Sequence, residues 1–235
     1  MRKNLKEEYA KRSRFLMAVS HDLSTPLTAV RGYVEAIKDG FAENPVQLAQ
    51  YMSIISDRVD MLETRIDELI DFVRMETGEW QVRRQSVNLK AFILCASAMY
   101  KEDAMIFKRR FTYTIDIPGD ISVIMDQNLC LRALENIFHN AIRYTDENDE
   151  IIFKAVIKGD DIHLTIRDEG KGIPADEVDY IFDPFFRGNS FNGRKGFGLG
   201  LSTVKSIMNA HGWDIRVTST PGKGTTFLIV IRPVP

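Results

Sequence analysis

The sequence lacks most features of membrane-spanning, disulfide-rich and nucleic-acid-binding proteins. No apolar run approaches the ~18 residues that a membrane helix needs, and there is no signal peptide. The net charge of -2 gives no sign of a nucleic-acid or membrane surface. There are only two cysteines, Cys95 and Cys130, without metal-type spacing. Because both lie in apolar segments, we predict buried free thiols and a reducing, cytoplasmic setting.

The composition is that of a globular protein with one large domain or two modest ones. The chain has 235 residues, of which 44% are hydrophobic and 27% charged. One local imbalance occurs near the N-terminus, where basic residues outnumber Glu7 and Glu8. Two interpretations stay open: a solvated helix face, which we favour, or a basic segment beside a membrane. The basic residues are Arg2, Lys3, Lys6, Lys11, Arg12 and Arg14.

Apolar residues repeat at helical spacing in the first third of the chain. Between Leu16 and Ile37 the intervals are three or four residues, which predicts one apolar stripe along a helix. Asp39-Gly40 ends this helix, and Asn44-Pro45 begins the next with an N-cap residue and a proline at N1. The second stripe, from Leu48 to Val73, follows a heptad pattern. A lone hairpin buries too little surface, so we predict a four-helix bundle formed by two copies.

The pattern changes after Thr77-Gly78, and a polar linker runs through Arg84. Strand-type alternation then occurs in segments 111–117, 151–158, 161–167, 213–218 and 225–231, and helical patterns in 88–108, 127–145 and 199–211. We therefore predict an α+β fold in two domains. Residues 1–79 form the antiparallel helical hairpin. Residues 85–235 form an α/β sandwich with a mixed sheet and helices on one face.

His21 is the candidate nucleophile of the hairpin. At 100° per residue it lies about 160° from the mean direction of the apolar stripe, so it points to solvent. Thr25 shares its face, and Asp22 lies close enough to accept a hydrogen bond from the imidazole. Such a carboxylate would fix the tautomer and leave the other ring nitrogen nucleophilic. Taken alone, an exposed histidine on a bundle helix is more often only a solvated side chain.

Polar residues of the second domain have the chemistry of a nucleotide site. Asn136 and Asn140 lie on the polar face of helix 127–145 with Arg143 beside them, where they could orient a hydrated Mg²⁺ and phosphates. Asp168 continues the inward face of its strand, at a cost of several kcal/mol unless a donor such as the adenine amine satisfies it. The plain alternatives are a solvated helix face and a turn-forming aspartate.

The glycine pattern Gly196-x-Gly198-x-Gly200 precedes a helix, where free N–H groups and the helix dipole favour phosphate. It is not a Rossmann fingerprint, because the spacing differs and no strand precedes it. Segment 222–225 is too short for a Walker A motif. The polar segment 187–195, rich in Gly and Asn, is typical of a mobile lid.

Together these motifs closely resemble those of the sensor histidine kinases of two-component systems, over essentially the whole chain. The matching motifs are His21-Asp22-x-x-Thr25-Pro26-Leu27 (H-box), Asn136-x-x-x-Asn140-Ala141-x-Arg143-Tyr144 (N-box), Asp168-x-Gly170-x-Gly172 (G1), Phe182-x-Pro184-Phe185 (F-box), Gly196-x-Gly198-x-Gly200 (G2) and Gly222-x-Gly224-Thr225-x-Phe227. One departure is Ser24, where the family often has a basic residue, which bears only on contacts near the histidine.

The resemblance implies roles for particular residues. His21 would be the phosphoacceptor, Asp22 the general base, and Thr25 the residue that positions a water for dephosphorylation of the partner. The implied cofactors are ATP and Mg²⁺, with Asn140 as metal ligand supported by Asn136. The implied nucleotide-binding residues are Asn136, Asn140, Arg143 (phosphates), Tyr144 (adenine packing), Asp168 (adenine amine), Gly170, Gly172, Arg187, Gly196, Gly198, Leu199, Gly200 and Thr225.

The resemblance further implies autophosphorylation at His21, transfer to an aspartate of a response-regulator receiver domain, and phosphatase activity towards that regulator. The expected partners are a second copy of the chain and the regulator, with no nucleic acid. The expected location is the cytoplasm, either as a separate protein or as the cytoplasmic part of an inner-membrane receptor whose anchor lies outside this sequence. The rival interpretations are a catalytically silent dimeric scaffold and, less favoured, a chaperone or topoisomerase fragment. The signal, the cognate regulator and the choice between cis and trans phosphorylation are not encoded in these motifs.

Overall fold

The computed structural model describes residues 2–77, 81–188 and 197–233. Two long helices, α1 (Arg2–Lys38) and α2 (Pro45–Glu76), form the N-terminal hairpin. The side chain of Asn44 accepts the N–H of Gln47 at 2.9 Å, so it caps α2 as the sequence predicts. Between the two helices, the rings of Tyr33 and Tyr51 pack with their centroids 5.2 Å apart. The predicted helical hairpin is confirmed.

The remainder is an α/β sandwich, also as predicted. Its helices are α3 (Leu89–Ile106), α4 (Gln127–Tyr144) and α5 (Gly200–His211), with a 3-10 turn at Val178–Tyr180. Its strands are β1 (Gln85–Asn88), β2 (Arg110–Asp116), β3 (Ser122–Met125), β4 (Glu150–Lys158), β5 (Asp161–Asp168), β6 (Asp214–Thr220) and β7 (Gly224–Ile231). Five strands form a sheet in the order β2-β4-β5-β7-β6, in which β2 and β4 are parallel and the other neighbours antiparallel. The short strands β1 and β3 pair separately.

One face of the sheet and the inner sides of the helices form the core. On β5, Ile162, Leu164 and Ile166 are buried and alternate with partly or fully exposed residues, and Asp168 continues the buried face. From α4, Phe138 is fully buried and stacks on Tyr100 of α3 with ring centroids 4.3 Å apart. The core therefore fixes α4 and the end of β5 beside each other.

The two cysteines differ in burial. Cys130 is buried, and burial raises the pKa of its thiol to about 12. The prediction that Cys95 is also buried is wrong, because Cys95 is exposed. It lies on α3 between core residues such as Ile93 and Ala96, but the helical twist turns it outward. An apolar sequence context does not by itself define the buried face of a helix.

Some predictions concern residues outside the described part of the chain. They are Gly196, residues 189–195 of the predicted lid 187–195, residues 78–80 of the predicted linker, and the basic side chains between Arg2 and Arg14. Among the described helices, none combines the length and the apolar character required to cross a bilayer.

Candidate functional site

His21 lies on the solvent side of α1, with its side chain 80% exposed. Its Nδ1 is 3.2 Å from Oδ1 of Asp22. Because an ionised carboxylate only accepts hydrogen bonds, this contact places the imidazole proton on Nδ1 and leaves the Nε2 lone pair facing outward. An exposed imidazole nitrogen held in this tautomer can act as a nucleophile.

The next turn of α1 supports the same residue through the backbone. The hydroxyl of Thr25 donates to the carbonyl oxygen of His21 at 3.0 Å, and Thr25 itself is exposed. Pro26 follows inside the helix and is buried. Since proline has no N–H, it removes one hydrogen bond of the helical ladder at this turn. Thr25 therefore lies on the face of His21, as the spacing predicts.

A cavity of about 680 Å³ lies beside α4, and we refer to it as the α4 cavity. Most of the residues that the sequence nominated for nucleotide binding line it, although they come from distant segments. These residues are Asn136, Asn140, Arg143, Tyr144, Asp168, Gly172, Arg187, Gly198, Leu199, Gly200 and Thr225. Gly170, which the motifs also predict, is not among the lining residues. The cavity thus collects the predicted amide, guanidinium and carboxylate groups in one place.

Asp168 is a buried acidic residue of the α4 cavity, with only 5% of its surface exposed. Its Oδ1 accepts the N–H of Gly170 at 2.9 Å and the N–H of Thr225 at 3.2 Å. Burial raises the pKa of the Asp168 carboxyl to about 6, although the two N–H donors favour the ionised form. At neutral pH it is therefore mainly a carboxylate, and Oδ2 remains to meet the amine of a bound ligand.

Two glycines allow the backbone to approach closely around this carboxylate. A Cβ on Gly170 would lie 2.3 Å from the carbonyl oxygen of Tyr144, so a larger residue would separate the Asp168 loop from the end of α4. Gly224 has a φ of +90°, and its Cβ would lie 1.8 Å from the carbonyl oxygen of Asp168. These glycines therefore allow close packing against the backbone of two lining residues, Tyr144 and Asp168. In the sequence, Gly224 is identified only as a member of the last glycine motif, with no role of its own.

The cavity also has a wall that the sequence did not predict, formed by α2 of the hairpin. Thr64, Asp67 and Glu68 line the same cavity as Asn140. Glu135, His139 and the buried Glu177 are further polar lining residues that the motifs do not include. On α2, polar residues at helical spacing are typical of a solvated face, so no local signal could have revealed this role.

Among the described residues, side-chain contacts join α2 to the second domain. The ring of Phe72 meets the ring of Phe185 edge-on, with centroids 4.9 Å apart. The guanidinium of Arg65 lies over the ring of Phe197, 5.4 Å from its centroid. Asp71 and Arg132 form an ion pair. The α4 cavity is therefore a site between two domains in this arrangement.

Family models match both parts of the chain. Residues 125–235 match the histidine kinase-, DNA gyrase B- and HSP90-like ATPases, the class that the sandwich and its cavity define. Residues 11–78 match the His Kinase A (phospho-acceptor) domain, which covers the hairpin and His21. The chain belongs to the sensor histidine kinases and comprises their kinase core.

Two sensor proteins are similar to the chain over most of its length, which supports the same family. The chain is 31% identical over 228 residues to the sensor histidine kinase WalK of Bacillus subtilis, a match that covers 94% of the chain and 36% of WalK. It is 33% identical over 227 residues to the sensor protein SrrB of Staphylococcus aureus, covering 92% of the chain and 37% of SrrB. The chain thus spans about a third of the length of these relatives.

Solved structures show the same fold. The histidine kinase ThkA, solved in complex with the response regulator TrrA, superposes with a TM-score of 0.74 at 24% identity, covering 98% of the chain and 64% of ThkA. The histidine kinase AdeS of Acinetobacter baumannii superposes with a TM-score of 0.70 at 22% identity, covering 92% of the chain and 98% of AdeS. At these identities the likeness establishes the fold.

Proposed function

We propose that this core uses Mg²⁺-ATP to phosphorylate His21 and then passes the phosphoryl group to an aspartate of a response regulator. The observation that carries the proposal is that α2 walls the α4 cavity while α1 presents His21 on the same hairpin. In the transfer step Nε2 of His21 forms a bond to the γ-phosphorus, and the bond to the β,γ-bridging oxygen breaks. ADP leaves with the electron pair of that bond. Because Nδ1–H is held by Asp22, that carboxylate stabilises the charge that develops on the ring.

The register of the hairpin supports this pairing of site and acceptor. Tyr33 and Tyr51 lie opposite each other in the antiparallel hairpin. Counting the same number of residues from this pair along both helices brings His21 level with Glu63. Thr64, the first α2 residue of the cavity wall, follows directly. The cavity therefore lies at the height of His21 along the bundle.

The cavity lining fits ATP and its metal ion. Asp168 offers a carboxylate oxygen to the adenine amine, and we assign Tyr144 to the adenine ring and Arg143 to the phosphates. The described residues contain no cluster of three or more acidic, histidine or cysteine side chains that could hold a metal alone. Mg²⁺ commonly uses phosphate oxygens and waters with one or two protein ligands, and the amide oxygen of Asn140 would be that ligand. The ion would neutralise phosphate charge during transfer.

The hairpin supports a dimer as the working form, and we propose the domain limits 1–79 and 85–235. Large apolar side chains of its heptad stripe are exposed in the single chain: Leu48, Met52, Val59, Ile66 and Val73. A second copy would bury them.

We further propose that the core dephosphorylates its regulator with a water placed by Thr25. Because ATP is the phosphoryl donor, the expected location is the cytoplasm, and a receptor of which this is the cytoplasmic part would supply the membrane anchor.

The deciding experiment is incubation with Mg²⁺ and γ-labelled ATP, with His21→Ala as the matched variant. We expect an acid-labile, alkali-stable label that is absent from the variant. His163, on the outer face of β5 and outside the cavity lining, provides a second control, because His163→Ala should keep the label. A protein that binds ATP but acquires no label would contradict the kinase proposal and support the silent scaffold.

A further inference from the structure

Ser219, near the end of β6, connects three backbone or side-chain groups beside the α4 cavity. The N–H of Ile173 donates to its Oγ at 2.8 Å. Its hydroxyl donates to the carbonyl oxygen of Gly224 at 3.0 Å. Its Oγ is also 2.9 Å from Oγ1 of Thr225. Neither the motifs nor the cavity lining includes Ser219.

The direction of the Ser219–Thr225 hydrogen bond follows from counting protons. A hydroxyl has one hydrogen and two acceptor lone pairs. The carbonyl of Gly224 can only accept, so it takes the single hydrogen of Ser219. The hydroxyl of Thr225 must then be the donor in its bond with Ser219. Thr225 is left with oxygen lone pairs and no hydrogen for a ligand.

The neighbouring Asp168 side chain is likewise a hydrogen-bond acceptor without a hydrogen to donate. The backbone N–H of Thr225 donates to Oδ1 of Asp168, so the two residues are held next to each other, and both line the α4 cavity. A carboxylate accepts hydrogen bonds only. The pair therefore offers acceptors to the edge of a bound base. Adenine presents an amine donor at its position 6, whereas guanine presents a carbonyl acceptor there.

We propose that Ser219 is a positioning residue that holds the Thr225 hydroxyl as an acceptor and thereby favours adenine over guanine nucleotides. The proposal rests on the proposed function of the cavity as an ATP site. Without Ser219 the Thr225 hydroxyl can rotate and donate to the carbonyl of guanine. The site then loses part of its discrimination rather than its shape, because specificity is a difference between two affinities.

The test is the ratio of ATP to GTP affinity, measured by calorimetry on the whole chain. In Ser219→Ala this ratio should fall about tenfold, the size of one neutral hydrogen bond. The matched control is Thr218→Ala, an exposed neighbour on β6, which should keep the wild-type ratio. Ser219→Thr retains the hydroxyl and should also keep the wild-type ratio of ATP to GTP affinity. If Ser219→Ala does not fold, Ser219→Cys preserves the side-chain size with a weaker acceptor and should lower the ratio in the same direction.

A double-mutant cycle with Thr225→Val separates positioning from packing. If Ser219 acts through Thr225, its substitution should not change the ratio further in the Thr225→Val background. A loss shared equally by ATP and GTP, with an unchanged ratio, would overturn the proposal and assign Ser219 to the loop at Ile173. Failure of the ATP-site assignment is distinguishable, because the wild-type chain would then not bind ATP at all, whereas failure of His21 labelling alone leaves the ATP to GTP ratio measurable. If the wild-type chain prefers ATP and Ser219→Ala has the same ratio of affinities, only the role of Ser219 is overturned.

Discussion

Asp71 of the hairpin and Arg132 of α4 form an ion pair whose two partners differ in exposure. The Asp71 side chain is 6% exposed, whereas that of Arg132 is 36% exposed. Burial raises the pKa of Asp71 more than the neighbouring Arg132 lowers it. The cost of the pair therefore falls on the aspartate, and the arginine can return to water if its partner is lost.

This asymmetry predicts unequal effects of two substitutions. Arg132→Met leaves a buried, unpaired carboxylate and should weaken domain docking by about 3 kcal/mol. Asp71→Asn removes the buried charge, and its effect should stay below about 1 kcal/mol. Hydrogen exchange of the α2 amides near residues 64–72 reports docking, because docking covers this stretch of the helix and opposes its local opening. A larger effect of Asp71→Asn than of Arg132→Met would contradict this account.

How far the sequence predicts the site depends on whether the signal is local. The apolar stripes predict α1 and α2, and the inward face of β5 predicts the burial of Asp168. The strands β1 and β3 have four residues each, too few to show alternation, and each pairs with a segment distant in sequence. The sequence also does not predict that α2 lines the α4 cavity, because this contact joins segments that are distant in the chain. Docking of two domains depends on complementary surfaces, and polar residues such as Asp67 look the same in solvent and in an interface.

Asp168→Asn should separate ligand binding from folding. The amide keeps an oxygen for the N–H groups of Gly170 and Thr225, but turns a donor towards the adenine amine. We expect ATP affinity to fall by at least about tenfold, since a buried donor would face a donor. The ligand-free protein should become more stable, by about 1–3 kcal/mol, because a buried charge is removed. Calorimetry and thermal unfolding measure the two quantities, and a destabilised ligand-free variant would contradict the burial argument.

The raised pKa of Asp168 also predicts a pH dependence. Below about pH 6 the carboxyl is protonated in the free protein, so ATP binding must first remove that proton and affinity should fall as the pH falls from 7 to 5. The ligand-free fold has the opposite dependence on this group. Because folding raises the pKa of Asp168 from 3.8, the free energy of unfolding of the ligand-free protein should rise as the pH falls through 6 towards 3.8. Phosphate groups titrate near the same pH, and Asp168→Asn provides the control because it retains only their contribution. Identical pH profiles for wild type and variant would exclude the role of Asp168.

The last prediction concerns the two side chains beside His21, which contact it through different atoms. Asp22 meets the imidazole at Nδ1, whereas Thr25 donates to the backbone carbonyl of His21. Asp22→Asn removes the charge that stabilises the developing imidazolium, so the rate of His21 labelling should fall about 100-fold without a change in ATP affinity. Thr25→Ala leaves the ring contact intact, so labelling should continue at close to the wild-type rate, while dephosphorylation of a phosphorylated regulator slows. Rapid-quench measurement of labelling and loss of phosphate from the regulator are two independent readouts for both variants. If Thr25→Ala slowed labelling as much as Asp22→Asn, the hydroxyl would act by holding the helical turn of His21, and its assignment to the water-dependent reaction would be wrong.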